Sequence, residues 1–304
     1  MSKPDPELKR SDFFKRPLVD GRAVSNGPLA RLGRRSQSLL VSRRECDEAE
    51  LEARLRAPGP LTRPNLISVG SLRGGSGTTT VSLLVASLLA SHRGLWTVVV
   101  DANPVYGSLT SLAPADLRPH ASLGDLISNL DKIDSSGQLY RYVARMPTGL
   151  HLLGGENGDE LASNVSVERF GELLAFLAIF YAVVVVDTAG RHPLAQLASD
   201  RADQTFVVTP PDPASAGPLA PLLEVADPAR TTIVNNRPPQ WRDDDSGAVA
   251  ELLSQEGAPP SVEISYDAEL EQMLAAGTYE LGRLRSQTRT AIKLLGIDAV
   301  DRLV

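Results

Sequence analysis

Residues 64–80 read Pro64-Asn65-Leu66-Ile67-Ser68-Val69-Gly70-Ser71-Leu72-Arg73-Gly74-Gly75-Ser76-Gly77-Thr78-Thr79-Thr80. A short apolar strand, Leu66 to Val69, runs into a glycine-rich turn, and Thr79 opens a helix that continues to about His92. Strand, glycine turn and helix in this order build a phosphate-binding loop. The glycines let backbone N–H groups close around phosphate oxygens at the positive end of the helix. Such a loop then uses Lys for the phosphate charge and Ser or Thr for magnesium. Gly74, Gly75, Ser76 and Gly77 supply the turn, Thr79 stands where the metal-binding hydroxyl belongs, and Thr80 follows it. Thr78 occupies the place of the lysine.

Downstream, apolar runs end in polar residues. Val98-Val99-Val100 leads to Asp101-Ala102-Asn103-Pro104, Tyr181 to Val186 leads to Asp187-Thr188, and Ile233-Val234 leads to Asn235-Asn236-Arg237. The runs are continuous rather than alternating, as expected of parallel strands buried on both faces. The longest, Leu173 to Val186, has 14 residues and is too short to span a bilayer. It reads as a helix end followed by a buried strand. Strands alternating with helical segments predict an α/β, doubly wound, mostly parallel sheet flanked by helices. Ligands bind such sheets beyond the carboxyl ends of the strands, where the glycine turn, Asp101, Asp187 and Asn235 all fall. A buried strand-end carboxylate needs a partner. A metal and a capping bond to backbone N–H groups both meet that need, and the upstream loop favours magnesium.

These markers, in this order across residues 64–304, resemble the MinD/ParA family of deviant Walker (SIMIBI-type) P-loop ATPases. Leu123-Gly124-Asp125-Leu126, Ala202 to Pro210, Ile264-Ser265-Tyr266-Asp267 and an amphipathic C-terminal helix extend the resemblance. It implies an ATP site formed by Gly74, Gly75, Ser76, Gly77, Thr78, Thr79 and Thr80, with Asn235 reading the adenine. It also implies magnesium held by Thr79, Asp101 and Asp187. The family's signature lysine, which crosses a dimer to the partner's nucleotide, aligns with Arg73, and its second lysine aligns with Thr78. Asn103 replaces a switch I carboxylate that helps to position water.

Phosphoryl transfer depends on positioning and charge stabilisation. Losing a cation at Thr78 and an acid at Asn103, with a forked guanidinium at Arg73, works against both. The expectation is weak or absent ATP and magnesium binding, no efficient hydrolysis, and a role as regulator or scaffold. The alternative is an active ATPase that positions chromosome, septum or secretion machinery, with Arg73 substituting for lysine.

Charge divides the chain. Residues 1–63 hold 14 Lys/Arg against 9 Asp/Glu, whereas residues 64–304 hold 17 against 28. The first segment reads as a basic arm, flexible to about residue 42, with a helix near 45–56 carrying Leu51, Leu55 and a Glu52–Arg56 pair. The second reads as the P-loop domain. Its net charge of −11 disfavours DNA binding by the core. Lys9-Arg10, Lys15-Arg16, Arg34-Arg35 and Arg43-Arg44, with Phe13 and Phe14 nearby, suit an anionic membrane, nucleic acid or an acidic partner, and the plainer reading is a solvated tail. One cysteine, Cys46, rules out an intramolecular disulfide framework, and four scattered histidines offer no metal-ligand spacing. The expected location is the cytoplasm, including the inner face of the membrane. Ala291 to Val304 reads as a core-packing helix, since only Lys293 and Arg302 are cationic there.

The arm, Glu52-Ala53-Arg54-Leu55-Arg56-Ala57-Pro58, Ser71-Leu72-Arg73-Gly74-Gly75 and Asp101-Ala102-Asn103-Pro104 together resemble ParA-like proteins associated with type VII (ESX) secretion. The expected partners are a second copy, a related ATPase or a secretion component.

Overall fold

The computed structural model describes residues 43–56, 63–103, 109–119, 121–154, 165–188, 190, 192–210, 212–236 and 247–301. Its centre is β1 (Asn65–Ser71), the strand that opens the glycine turn. Around it lie β2 (Thr97–Asp101), β3 (Ala144–Arg145), β4 (His151–Leu153), β5 (Val183–Asp187), β6 (Gln204–Thr209), β7 (Thr231–Asn236) and β8 (Ser261–Ile264). They form one eight-stranded sheet in the order β3-β4-β2-β5-β1-β6-β7-β8. All neighbours are parallel except β3 and β4. The valine runs of β2 and β5 are buried throughout, because helices cover both faces at the middle of the sheet.

The helices are α1 (Arg43–Arg56), α2 (Thr78–Arg93), α3 (Leu123–Ser128), α4 (Ser136–Leu139) and α5 (Val167–Phe180). They continue as α6 (Pro193–Arg201), α7 (Pro213–Val225), α8 (Gly247–Leu253), α9 (Ala268–Ala276) and α10 (Ser286–Asp301). The apolar run from Leu173 divides as expected, with α5 ending at Phe180 and β5 starting at Val183. Short local signals set several starts: Ser122 and Asp125 form a capping box on α3, and Asp212 caps α7 ahead of Pro213.

On one face, α1, α2 and α10 share a core that includes Leu55, Leu88, Phe206, Ile292 and Leu295. On the other, α3, α5 and α6 pack Phe170, Phe180 and Leu194 over β2 and β5. A separate small cluster of Val207, Leu219, Ile233 and Val249 lies under α7 and α8. The packing joins α1 to α2 and α10. Leu55 is fully buried, and Glu48 meets Arg289 at 2.6 Å and Lys293 at 3.2 Å. The hydrogen bond from Arg289 leads in holding the Glu48 carboxyl down at about 2. The expected flexible stretch, residues 1–42, lies outside the described residues. Six residues of α10 between Ala291 and Val300 are buried apolar positions, as a core-packing helix requires. Among the described residues, no helix is long and apolar enough to cross a membrane.

Candidate functional site

The glycine turn sits at the carboxyl end of β1, between β5 and β6. Ser71 Oγ and Ser76 Oγ each donate to the Arg73 carbonyl at 2.8 Å, which folds the turn back on itself. Gly75 and Gly77 have φ of 76° and 91°, the left-handed region that side chains rarely adopt. Gly77 is also the N-cap of α2 and offers no side-chain cap. The first N–H groups of α2, beginning at Thr78, Thr79 and Thr80, therefore depend on an outside acceptor. A phosphate oxygen is such an acceptor, and among the described residues nothing comes within 4 Å of a Cβ added at Gly74 or Gly75. The turn fits phosphate.

Beside it is an all-oxygen corner. Thr79 Oγ1 donates to Asp187 Oδ2 at 2.6 Å, and Ser82 Oγ donates to Oδ1 at 3.3 Å. Strand register sets Asp101 directly opposite Asp187. Asp101 accepts from the Asn103 and Leu109 backbone N–H groups, each at 3.0 Å. Burial pushes the Asp187 carboxyl up to about 7; Thr79, Ser82 and Thr78 oppose that rise, and the charge of Asp101 adds to it. A cation would relieve the same strain. Two carboxylates and a hydroxyl suit magnesium, a hard ion that keeps positions for water and phosphate. Accordingly, among the described residues no cluster of three or more His, Cys, Asp or Glu forms a complete protein cage. Thr79, Asp101 and Asp187 are thus brought to one corner.

The positions of charge are arranged differently. Thr78 is uncharged and opens α2. Arg73 Nη1 donates to both oxygens of Asp212, at 2.7 and 2.9 Å, and to Ser215 Oγ at 3.2 Å. Asp212 simultaneously caps α7 through Ser215 N at 2.9 Å. The Arg73 side chain is 42% exposed, so this pair is a weak tether rather than a lock. Asn103 is bonded to Asp101 through its backbone N–H, and residues 104–108 after it lie outside the described residues.

The strand end at β7 carries two asparagines with different surroundings. Asn235 Oδ1 is buried and has no hydrogen-bond partner there. Its neighbour Asn236 reaches the turn instead, donating from Nδ2 to the Ser76 carbonyl at 2.8 Å. A methyl group on Gly77 would collide with that amide. Asn236, Asp212, Ser82 and Ser215 are the site residues that the sequence did not single out. Asp212 between prolines is a readable helix cap; nothing in sequence marks its approach to Arg73.

No family model and no curated protein matches the chain. Solved structures share its fold. A ParA family ATPase from Chlorobium tepidum TLS has a TM-score of 0.65 and 22% identity, covering 76% of this chain and 98% of its own. The septum site-determining protein MinD from Pyrococcus horikoshii OT3, complexed with Mg-ADP, gives 0.59 and 19%, covering 76% and 94%. A MinC–MinD cell division complex from Aquifex aeolicus gives 0.59 and 20%, covering 79% and 95%. The fold is that of ParA and MinD.

Proposed function

We propose that this chain is a nucleotide-responsive regulator or scaffold on a ParA/MinD fold, with weak magnesium-nucleotide binding and negligible turnover. One observation carries the reading: the phosphate turn and the Thr79–Asp187 corner are in place, while Thr78 removes the cation and Arg73 is engaged by Asp212. The turn amides and magnesium corner would hold phosphates, with Asn235 at the base end. A missing charged partner weakens such binding by about 1.5–3 kcal/mol, or roughly 10- to 150-fold. With Thr78 and Asn103 both changed, the residues that would stabilise transferred charge and orient water are the ones replaced.

Association is the second part of the proposal. Arg73 is exposed, and its surface ion pair costs little to break. In a second copy or a related ATPase facing this cleft, Arg73 would reach the partner's phosphates, as an arginine finger does in trans. The type VII secretion setting rests on the sequence resemblance alone. Calorimetric titration with a non-hydrolysable magnesium nucleotide tests the binding claim. Weak binding that requires magnesium and is lost in Asp187→Ala is the expected result. Family-strength binding, or binding indifferent to Asp187, overturns it. Light scattering with nucleotide tests association, which a strict monomer unaffected by Arg73→Ala would contradict.

A further inference from the structure

A groove of about 890 Å³ opens over β1, β6 and β7 between α6 and α7. On its floor stand Ser68, Thr205 and Thr231, which strand register sets side by side. Adjacent strands lie about 4.8 Å apart, so these side chains form a row roughly 10 Å long. Hydroxyls in a row are unusual on the face of a parallel sheet that helices cover, where apolar side chains are the rule. Ser68 and Thr231 are only 2% and 7% exposed, and both line the groove. Among the described residues, none of the three hydroxyls has a hydrogen-bond partner. A hydroxyl so enclosed costs free energy unless something bonds it, and it can both donate and accept.

The walls differ from the floor. The α7 wall consists of Pro218, Pro221, Leu222 and Val225, and Val225 is 84% exposed. The Asp and Arg side chains of the lining stand at the end where the strands begin, and each already has a partner. Asp200 accepts from Gln196 Nε2 at 2.7 Å, Asp227 accepts from the Ala229 N–H at 2.9 Å, and Arg230 donates to the Ala202 carbonyl. All three are exposed, where pairing with an ion contributes little. At the other end, His192 caps α6 through its ring. An ion over the hydroxyl row would lose hydration and meet no counter-charge there. The lining therefore selects an uncharged ligand that is polar along one edge and apolar along the other.

We propose that the groove binds an uncharged, hydroxylated amphipath, a free small molecule of the alkyl glycoside or polyol class. Its hydroxyls exchange hydrogen bonds with Ser68, Thr205 and Thr231, and its hydrocarbon part lies along Pro218, Leu222 and Val225. Hydroxyls on alternate carbons of a six-membered ring are spaced much as neighbouring strands are, so one ring bridges two members of the row. The volume suits such a ligand, since small-molecule sites enclose about 300–1,000 Å³. Covering the α7 wall also removes apolar surface from water. The groove reaches Ser71 and Leu72 of the phosphate turn but includes none of Thr79, Asp101 and Asp187. The inference is independent of whether nucleotide binds.

Saturation-transfer NMR on the full-length chain tests it, with octyl β-glucoside below its micelle concentration as the probe. Octanoate and octylammonium share its alkyl chain and carry charge. The glucoside is expected to bind, and both ions to bind about tenfold more weakly or not at all. Thr205→Val/Thr231→Val replaces two hydroxyls by methyl groups of similar shape and is expected to weaken glucoside binding about tenfold. Unchanged hydrogen exchange in β1 and β5 checks the fold of the variant. Val225→Glu, at an exposed position, is expected to weaken binding too and serves if the threonine variant does not fold. No transfer to the glucoside overturns the proposal. So does binding of either ion as tight as that of the glucoside. Glucoside binding that both variants leave intact places the probe elsewhere, and binding that the threonine variant tightens reduces the groove to an apolar slot; each contradicts the proposal.

Discussion

The two sides of the nucleotide cleft are built on different principles. The magnesium side, Thr79, Asp101 and Asp187, is held by the sheet: the carboxylates end adjacent buried strands, and hydroxyls from α2 bond to one of them. The other side, Arg73 beside the uncharged Thr78, is held by a surface choice: an exposed arginine takes the nearest helix cap. What the backbone positions is shared with the ParA and MinD fold. The proposed difference lies in what side-chain charge must supply. A fold can therefore preserve the geometry of a phosphate site while changing what the site can do.

The largest effect that tests this contrast belongs to Asp187. Its folded value of about 7 lies above the ordinary 3.8, so between those values the folded protein holds a proton that the unfolded chain has lost. Stability from this group is full below about pH 4 and is lost as pH rises through 7, a difference of roughly 4 kcal/mol. Asp187→Asn keeps an acceptor for Thr79 and is expected to remove that slope. Without magnesium, the variant should be the more stable protein at pH 8. Denaturant unfolding at pH 5 and pH 8 reads this directly, and parallel pH slopes for the two proteins would break the comparison.

Thr78→Lys sharpens the other side. Restoring a cation to an intact turn should tighten magnesium-nucleotide binding by roughly 10- to 150-fold. No gain in calorimetry, with the fold preserved, would mean that Asn236 and the turn are closed to phosphate. A smaller effect is expected at the Arg73–Asp212 pair. Asp212→Ala removes a helix cap and should cost about 1 kcal/mol. Arg73→Ala should cost less, and a double-mutant cycle should give a coupling below about 1 kcal/mol. A coupling several times larger would make Arg73 a fixed strut, unavailable to a partner.

Much of this was legible in sequence because buried parallel strands write themselves as valine runs, and a carboxylate at the end of such a run has few tolerable fates. The glycine turn, Asp101 and Asp187 could be placed on one edge of the sheet from these facts alone. Asn235 and Asn236 could not be separated: neighbours on a strand point to opposite faces, and which one meets the turn depends on register. The Arg73–Asp212 contact joins residues on different strands' loops, with no local signal for it. Likewise, Ser68, Thr205 and Thr231 are unremarkable singly and form a row only once β1, β6 and β7 are paired. The α1 helix was readable, but its docking through Glu48 to Arg289 and Lys293 was not.

Single-turnover ATP hydrolysis by the purified full-length protein, with saturating magnesium nucleotide, tests the central claim most directly. Saturation removes weak binding as the explanation and leaves the missing charge. The account predicts no phosphate release above the Asp187→Ala background. Release at a rate typical of a competent ParA-type enzyme, abolished by Asp187→Ala, would show that Arg73 or another group supplies what Thr78 lacks and would contradict the account.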